Sequence, residues 1–147
     1  MRILSALMLI PIALALSAER VSLCQIFEEP SKFAGKIVEL NGYIKPLMHG
    51  TYLKQEGCDQ GILIVLPEEI ANYKGSIRLV KDSEFEVFKK ARFNYQPGTP
   101  QYSAVFTGMI EYKKDGKGFG YYKNHRVRLI VQSITEGVTE QLPQLPK

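Results

Sequence analysis

Apolar and polar residues alternate along three stretches of this chain, 36–45, 102–113 and 126–134. Successive side chains of a β-strand point to opposite faces, so this period of two is typical of strands with one buried and one exposed face. Gly42 falls on the apolar side of the first stretch, where a tightly curved sheet bends or forms a bulge. The pattern therefore predicts a mainly β fold built on a curved sheet.

Two helices are predicted from capping-box patterns, in which a serine and a glutamine or glutamate three residues later bond each other's backbone amides. Ser22 and Gln25 open the first helix, and Pro30 ends it because proline cannot continue the hydrogen-bond ladder. Ser83 and Glu86 are the corresponding pair of the second helix, whose apolar residues recur at helical spacing. One helix is thus expected before the first strand and one in the middle of the chain.

With short strands at 51–55 and 62–66, the predicted order is helix, three strands, helix and two strands. A five-stranded, partly open barrel with a helix between its third and fourth strands is the oligonucleotide/oligosaccharide-binding (OB) architecture. An open α+β sheet with the same elements is the main alternative. We predict one OB-like domain over 19–135. The stretch 136–147 has two prolines and no periodicity, so it is predicted to be a flexible C-terminal tail.

The first 18 residues, MRILSALMLIPIALALSA, have the composition of a secretory signal peptide. One early positive charge is followed by an apolar run and then by small residues, as signal peptidases require. The run is shorter than the roughly 20 apolar residues of a transmembrane helix. Cleavage is expected after Ala15, Ser17 or Ala18, and an uncleaved N-terminal anchor or a cytosolic protein are the alternatives. We therefore predict a periplasmic or secreted protein.

The chain contains two cysteines, Cys24 and Cys58. In an oxidising compartment, two cysteines are most simply joined in one disulfide. Two free buried thiols, or a metal site that also uses His49 and His125, are the alternatives. The spacing of these four residues does not match the close ligand pairs of compact zinc sites, and the chain has no C-x-x-C redox pair. We predict a disulfide, and no metal or cofactor.

The segment CQIFEEPSKFAGKIVELNGYI resembles the opening of a family of exported bacterial OB-fold-like domains. That opening has a helix, then asparagine-proline, an aromatic residue, glycine-lysine and an alternating strand. The matching residues are Pro30, Phe33, Gly35 and Lys36, whereas Glu29 stands in place of the asparagine. A second cysteine after the second strand and a glycine-aromatic segment before the last strand extend the likeness from about Val21 to Ile134. The resemblance implies an OB-like fold and export. It implies no particular activity, because the fold serves many functions.

Motifs of nucleophilic, glycosidic or phosphate chemistry are not evident. The chain has no G-x-S-x-G sequence and no P-loop, and its histidines, His49 and His125, lie in segments typical of solvated side chains. The acidic pairs 28–29 and 68–69 are sequence neighbours, so they do not converge on one helix face as paired catalytic carboxylates would. We therefore do not expect an enzyme, with a small hydrolase as the less favoured alternative.

Charge is distributed unevenly along the predicted mature chain. Residues 19–84 contain 8 basic and 10 acidic side chains, a net charge of −2, whereas residues 85–147 contain 10 basic and 5 acidic, a net charge of +5. Most of the excess lies in 113–128, where aromatic residues are interleaved with the basic ones. Cations beside aromatic faces are suited to anionic or sugar polymers, through charge and stacking.

This segment forms the loop between predicted strands four and five, and in an OB barrel that loop borders the usual ligand face. We predict a non-enzymatic binding module whose partner is an anionic glycan, a lipid headgroup or a protein. Export makes nucleic acid an unexpected partner. A solvated basic hairpin, or an accessory envelope protein that recruits another chain by a strand edge, are the alternatives. The candidate ligand-binding residues are Tyr112, Lys113, Lys114, Lys117, Tyr121, Tyr122, Lys123, His125 and Arg126.

Overall fold

The computed structural model describes residues 17–140, and within this range the chain is mainly β, as predicted. Residues 1–16 of the predicted signal peptide and 141–147 of the predicted tail lie outside the described residues. The elements in chain order are β1 (Glu19–Arg20), α1 (Leu23–Glu28), α2 (Pro30–Phe33), β2 (Ile37–Leu47), β3 (Gly50–Lys54), β4 (Ile62–Val65), a 3₁₀ turn (Pro67–Glu69), α3 (Ser83–Phe93), β5 (Gln101–Tyr112) and β6 (Val127–Glu140).

The strands form one mixed sheet that curls into a ring-like, partly barrel-shaped arrangement. Their order is β1-β2-β3-β4-β6-β5, and β5 pairs back onto β2 to close the ring. β4 and β6 are parallel, whereas the other pairs within the ring are antiparallel. The predicted count of five strands is wrong by one, because β1 adds two residues parallel to the start of β2. Two residues are too few to show a period, so the sequence pattern does not reveal β1.

Strand β2 changes partner midway, which lets the sheet curl. It pairs with β5 from Ile37 to Tyr43 and with β3 from Tyr43 to Leu47. Gly42 lies at this change, and a Cβ atom there would collide with the carbonyl oxygen of Lys54. The glycine predicted to bend the strand therefore stands where two backbones approach too closely for a side chain.

The apolar core lies inside this ring. Val38, Leu40 and Ile44 of β2 are buried, as their alternation predicts. Phe88 of α3 is also fully buried and packs edge-to-face on Phe106 of β5, with ring centroids 5.7 Å apart. This contact anchors α3, the helix predicted between the third and fourth long strands, to the core.

The two predicted capping boxes have different outcomes. At α1 the amide of Gln25 donates to Ser22 Oγ at 3.2 Å, and the amide of Ser22 donates to Gln25 Oε1 at 2.8 Å, which confirms the first. The second is wrong, since α3 is capped by Asp82, whose Oδ1 accepts from the amide of Phe85 at 3.0 Å. Asp82 precedes Ser83 and is an equally good cap, so the helix begins at Ser83 itself.

Strand β6 is longer than its sequence pattern indicates. It continues to Glu140, which pairs with Gln101 at the start of β5. Residues 136–140, assigned above to the flexible tail, therefore belong to a strand. The register shifts between Ser103 and Val105, and Glu136 has a positive φ of 54°. This irregularity breaks the alternation and hides the rest of the strand from sequence analysis.

The predicted disulfide between Cys24 and Cys58 is present, with a Cα–Cα distance of 5.4 Å. It joins α1 to the loop between β3 and β4. Gln55 strengthens the same junction, because its Oε1 accepts from the Leu23 amide at 3.1 Å and its Nε2 donates to the carbonyl of Asn41 at 2.8 Å. Within residues 17–140, no helix has the length and apolar character needed to cross a membrane.

Candidate functional site

A cavity of about 660 Å³ opens where the outer face of β2 and β3 meets the loop between β5 and β6 (residues 113–126, the β5–β6 loop). Helices α1 and α2 supply the opposite wall. Its lining residues are Phe27, Pro30, Lys45, Leu47, Tyr52, Lys54, Gln60, Gly61, Tyr112, Asn124, His125, Arg126 and Val127. Aromatic and basic side chains thus dominate the wall, with no acidic residue among them.

The register of β2 and β3 places three of these side chains together. Lys45 lies directly opposite Tyr52, and Lys54 follows two positions along β3 on the same face. Their neighbour Leu53 is fully buried, so Tyr52 and Lys54 must point away from the core. The strand alternation that builds the core therefore also builds this wall of the cavity.

Within residues 17–140, the cations of the cavity have no acidic partner. Among the described residues, six basic side chains form ion pairs, but Lys45, Lys54 and Arg126 do not. Arg126 instead donates from Nη1 to the carbonyl oxygen of Gly116 at 2.5 Å, which fixes its guanidinium beside the cavity without neutralising it. Uncompensated positive charge beside a concave, partly apolar surface attracts anions.

Tyr52 and His125 connect the strand wall to the loop wall. The Tyr52 hydroxyl and His125 Nε2 are 2.8 Å apart, with both side chains half-buried. Burial raises the pKa of the Tyr52 phenol above its ordinary value, so the hydroxyl keeps its proton at neutral pH. It can therefore donate to a neutral imidazole or accept from a protonated one, and the direction depends on the imidazole tautomer and charge.

The β5–β6 loop is itself a folded structure rather than a simple hairpin turn. Phe119 and His125 exchange backbone hydrogen bonds of 2.6 and 3.2 Å. Gly120 has a φ of 83°, and a Cβ there would lie 2.8 Å from His125 Cδ2. Glycine is thus required at this position both for the backbone conformation and for the space that the imidazole occupies.

The structure divides the nine predicted ligand-binding residues into groups. Tyr112, His125 and Arg126 line the cavity. Tyr121 and Tyr122 lie outside it and pack against His49 of the β2–β3 turn, with His49 and Tyr121 stacked at 4.3 Å between centroids. Those two tyrosines therefore belong to a second surface.

The four predicted lysines line no part of the cavity. Lys113 is held over the ring of Phe119, with Nζ 4.6 Å from the centroid. Lys114, Lys117 and Lys123 are exposed on the loop. Fewer cations therefore line the cavity than the run of basic residues in the sequence predicts.

The basic segment of the sequence does not point to the part of the cavity that comes from other elements. Phe27, Lys45, Tyr52 and Lys54 are far from the basic segment in sequence and reach it only through the curled sheet. Alternation was a usable signal for some of them, because Lys45 falls on the polar side of the predicted strand 36–45, and Tyr52 and Lys54 fall on one side of the predicted strand 51–55. The sequence alone does not show the order of the strands in the sheet, and this order brings these residues to the basic segment.

The alternative metal site is not formed. Within residues 17–140, no three His, Cys, Asp or Glu side chains are grouped so as to hold a metal ion. Cys24 and Cys58 are bonded to each other, while His49 and His125 pack on different tyrosines.

Comparison with protein-family models gives no match for this sequence. A search of curated proteins likewise gives no significantly similar protein. The interpretation of the site therefore depends on its own geometry and chemistry.

Proposed function

We propose that this protein is an exported, non-enzymatic binding module with an OB-like barrel, and that its cavity binds an anionic glycan. The proposal is carried by the lining of the cavity. Three of its side chains are cations without a carboxylate partner among the described residues: Lys45, Lys54 and Arg126. The rings of Phe27 and Tyr52 line the same cavity beside them. Cations neutralise sulfate, phosphate or carboxylate groups, and aromatic rings pack on the apolar faces of sugars.

Strand topology supports the OB assignment. An OB barrel has five strands, and its ligand face combines the second and third strands with the one–two and four–five loops. If β2 is counted as the first strand, Tyr52 and Lys54 lie on the second, and His125 and Arg126 lie in the four–five loop. The cavity then occupies the face at which OB barrels bind ligands.

The side chains around the cavity support binding rather than catalysis. In the part of the chain that the structure describes, no serine, cysteine, aspartate or glutamate lines the cavity, and the imidazole of His125 is engaged by the Tyr52 hydroxyl. A nucleophile with an adjacent base, or a pair of carboxylates, is what hydrolysis of an ester or glycoside would need. Export is supported by the signal-like residues 1–18 and by the Cys24–Cys58 disulfide, which is typical of oxidising compartments.

The test is a calorimetric titration of the mature, oxidised protein with a sulfated dextran oligosaccharide and with the unsulfated oligosaccharide of equal length. We expect the sulfated sugar to bind and its affinity to fall as salt is raised, because salt screens partly exposed charges. The double variant Lys54→Gln/Arg126→Gln should bind at least about tenfold more weakly, since each lost charged hydrogen bond contributes about 1.5–3 kcal/mol.

A matched variant controls for net charge. Lys74→Gln/Lys90→Gln removes two exposed cations that do not line the cavity, and should bind like the parent. Equal weakening of both variants would mean that only overall charge matters and would contradict the cavity as the site. Equal affinity for both dextrans would contradict an anionic ligand.

A further inference from the structure

A second surface lies beside the cavity at the junction of two loops. It consists of Leu47, Met48, Tyr121 and Tyr122, which we call the apolar tip. The exposed fractions of these side chains are 55, 92, 69 and 68%, respectively. Four neighbouring large apolar residues with such exposure are unusual on a soluble surface, and patches of this kind mark interaction sites.

The tip is held together by aromatic packing. The imidazole of His49 stacks on the Tyr121 ring at 4.3 Å with an interplanar angle of 12°, and its edge meets Tyr122 at 5.2 Å. Tyr121 and Tyr122 also pack edge-to-face at 5.0 Å. The β2–β3 turn and the β5–β6 loop therefore present these side chains as one unit, although they are about 70 residues apart in sequence.

The surroundings of the tip are positively charged. Residues 45–52 and 116–128 contain no aspartate or glutamate, and Lys45, Lys117 and Lys123 in these segments form no ion pair among the described residues. A partner of this surface must therefore be apolar where the tip contacts it and anionic around that contact.

We propose that the apolar tip docks on an anionic lipid bilayer, with Leu47 and Met48 entering the boundary between headgroups and acyl chains. The tip protrudes, since Met48, Tyr121 and Tyr122 are each at least 68% exposed, while Leu47 lies at its border with the cavity. A protruding apolar group needs a matching pocket on a protein, but it enters a bilayer without one. Tyrosine favours the membrane interface, and lysines near the surface are attracted to anionic lipids.

The test is flotation of the mature protein with vesicles of phosphatidylcholine alone and of phosphatidylcholine mixed equally with phosphatidylglycerol. We expect binding to the mixed vesicles and little binding to the neutral ones. The variant Leu47→Ser/Met48→Ser should bind the mixed vesicles at least about tenfold more weakly, since it removes the inserted apolar area. The control Val87→Ser/Phe93→Ser removes two exposed apolar side chains of α3, and should bind as the parent does.

A spectroscopic measurement tests insertion itself. The chain has no tryptophan, so Met48→Trp creates a single reporter at the most exposed position of the tip. Its emission should shift to shorter wavelength with the mixed vesicles and be quenched by brominated acyl chains. Unchanged emission, or vesicle binding that Leu47→Ser/Met48→Ser leaves intact, would overturn the proposal. A concentration-dependent dimer that the serine variant abolishes, without vesicle binding, would assign the tip to a second copy instead.

This proposal is independent of the glycan site. Lys54→Gln/Arg126→Gln should lose the sulfated sugar while keeping vesicle binding. Met48→Ser should do the reverse; it is used here alone because Leu47 also lines the cavity. Loss of both in either variant would contradict the separation of the two surfaces.

Discussion

Tyr52 and His125 lie 73 positions apart in sequence, and a 2.8 Å hydrogen bond joins the phenol oxygen of one to Nε2 of the other. Tyr52 lies on β3, within the sheet, whereas His125 lies near the end of the β5–β6 loop, just before Arg126. This bond therefore fixes the loop that carries Arg126 against the strand that carries Lys54. The spacing of cations across the cavity depends on it.

Replacing Tyr52 with phenylalanine should loosen this loop without disturbing the core. The free energy of unfolding should fall by about 1 kcal/mol, the usual contribution of one partly buried hydrogen bond. Amides of residues 118–125 should exchange faster with deuterium, because local opening of the loop becomes easier. Tyr43→Phe is the control, since the Tyr43 hydroxyl forms no side-chain hydrogen bond among the described residues. Equal exchange in both variants would show that the bond does not hold the loop.

The Cys24–Cys58 disulfide should stabilise both the fold and the cavity wall. It closes a separation of 34 residues, for which the chain-entropy treatment gives about 4 kcal/mol. Phe27 on the same helix as Cys24, and Gln60 just after Cys58, line the cavity. The Cys24→Ser/Cys58→Ser variant should therefore unfold at a lower urea concentration and bind the sulfated dextran more weakly.

Mass spectrometry of the exported parent provides the control for this variant. The intact protein should be two hydrogens lighter than its reduced form. Free thiols in the exported protein, or a doubly substituted variant as stable as the parent, would contradict a structural role for the disulfide.

Local patterns were sufficient for most elements of the fold. Strands near 36–45, 51–55, 62–66 and 102–113 follow from alternation or from short apolar runs, since each signal lies within a few consecutive residues. The end of β6 was missed because a bulge interrupts the alternation near Glu136.

Contacts between distant segments have no comparable local signal. Arg92 is one case: its side chain is only 13% exposed and pairs with Glu69 at 2.7 Å, while its Nε donates to Thr51 at 2.9 Å. Three separate elements supply these groups. The cavity also combines groups from distant segments. The basic segment contributes His125 and Arg126, whereas β2 and β3 contribute the other cations of the lining, Lys45 and Lys54.

Tyr102 should make the stability of the protein sensitive to alkaline pH. Its side chain is buried and donates to Glu84 Oε1 at 2.6 Å. Burial, and then the bond to Glu84, raise the pKa of this phenol well above its ordinary value of 10.0. A group whose pKa is higher in the folded than in the unfolded state stabilises the fold fully at pH values below its unfolded pKa. This stabilisation is lost as pH rises above the unfolded pKa.

Near neutral pH, the variant Tyr102→Phe should be less stable than the parent by about 1 kcal/mol, because it lacks the hydroxyl that donates to Glu84. The difference in unfolding free energy should shrink by roughly 1 kcal/mol between about pH 10 and about pH 11. In this range Tyr102 ionises in the unfolded parent but not in the folded one, which favours unfolding of the parent, whereas the phenylalanine variant has no such group. Urea unfolding at several pH values measures this, with Tyr121→Phe on the exposed tip as the control. A difference that stays constant across that range would contradict the role of Tyr102.

Gly120 and Gly116 offer a matched pair of tests in the β5–β6 loop. Both have positive φ, 83° and 74°, so alanine at either position meets a similar backbone strain of about 1 kcal/mol. They differ in space, since a Cβ on Gly120 would lie 2.8 Å from His125 Cδ2, whereas a Cβ on Gly116 meets nothing within 4 Å. Only Gly120→Ala should displace the imidazole.

Both alanine variants should therefore lose a similar part of their unfolding free energy through strain, but their binding should differ. Gly120→Ala should weaken binding of the sulfated dextran and speed amide exchange around His125, because the Tyr52 bond depends on the position of the imidazole. Gly116→Ala should leave both nearly unchanged, since the carbonyl that accepts from Arg126 stays in place. Equal binding by the two variants would show that the position of His125 does not control the cavity.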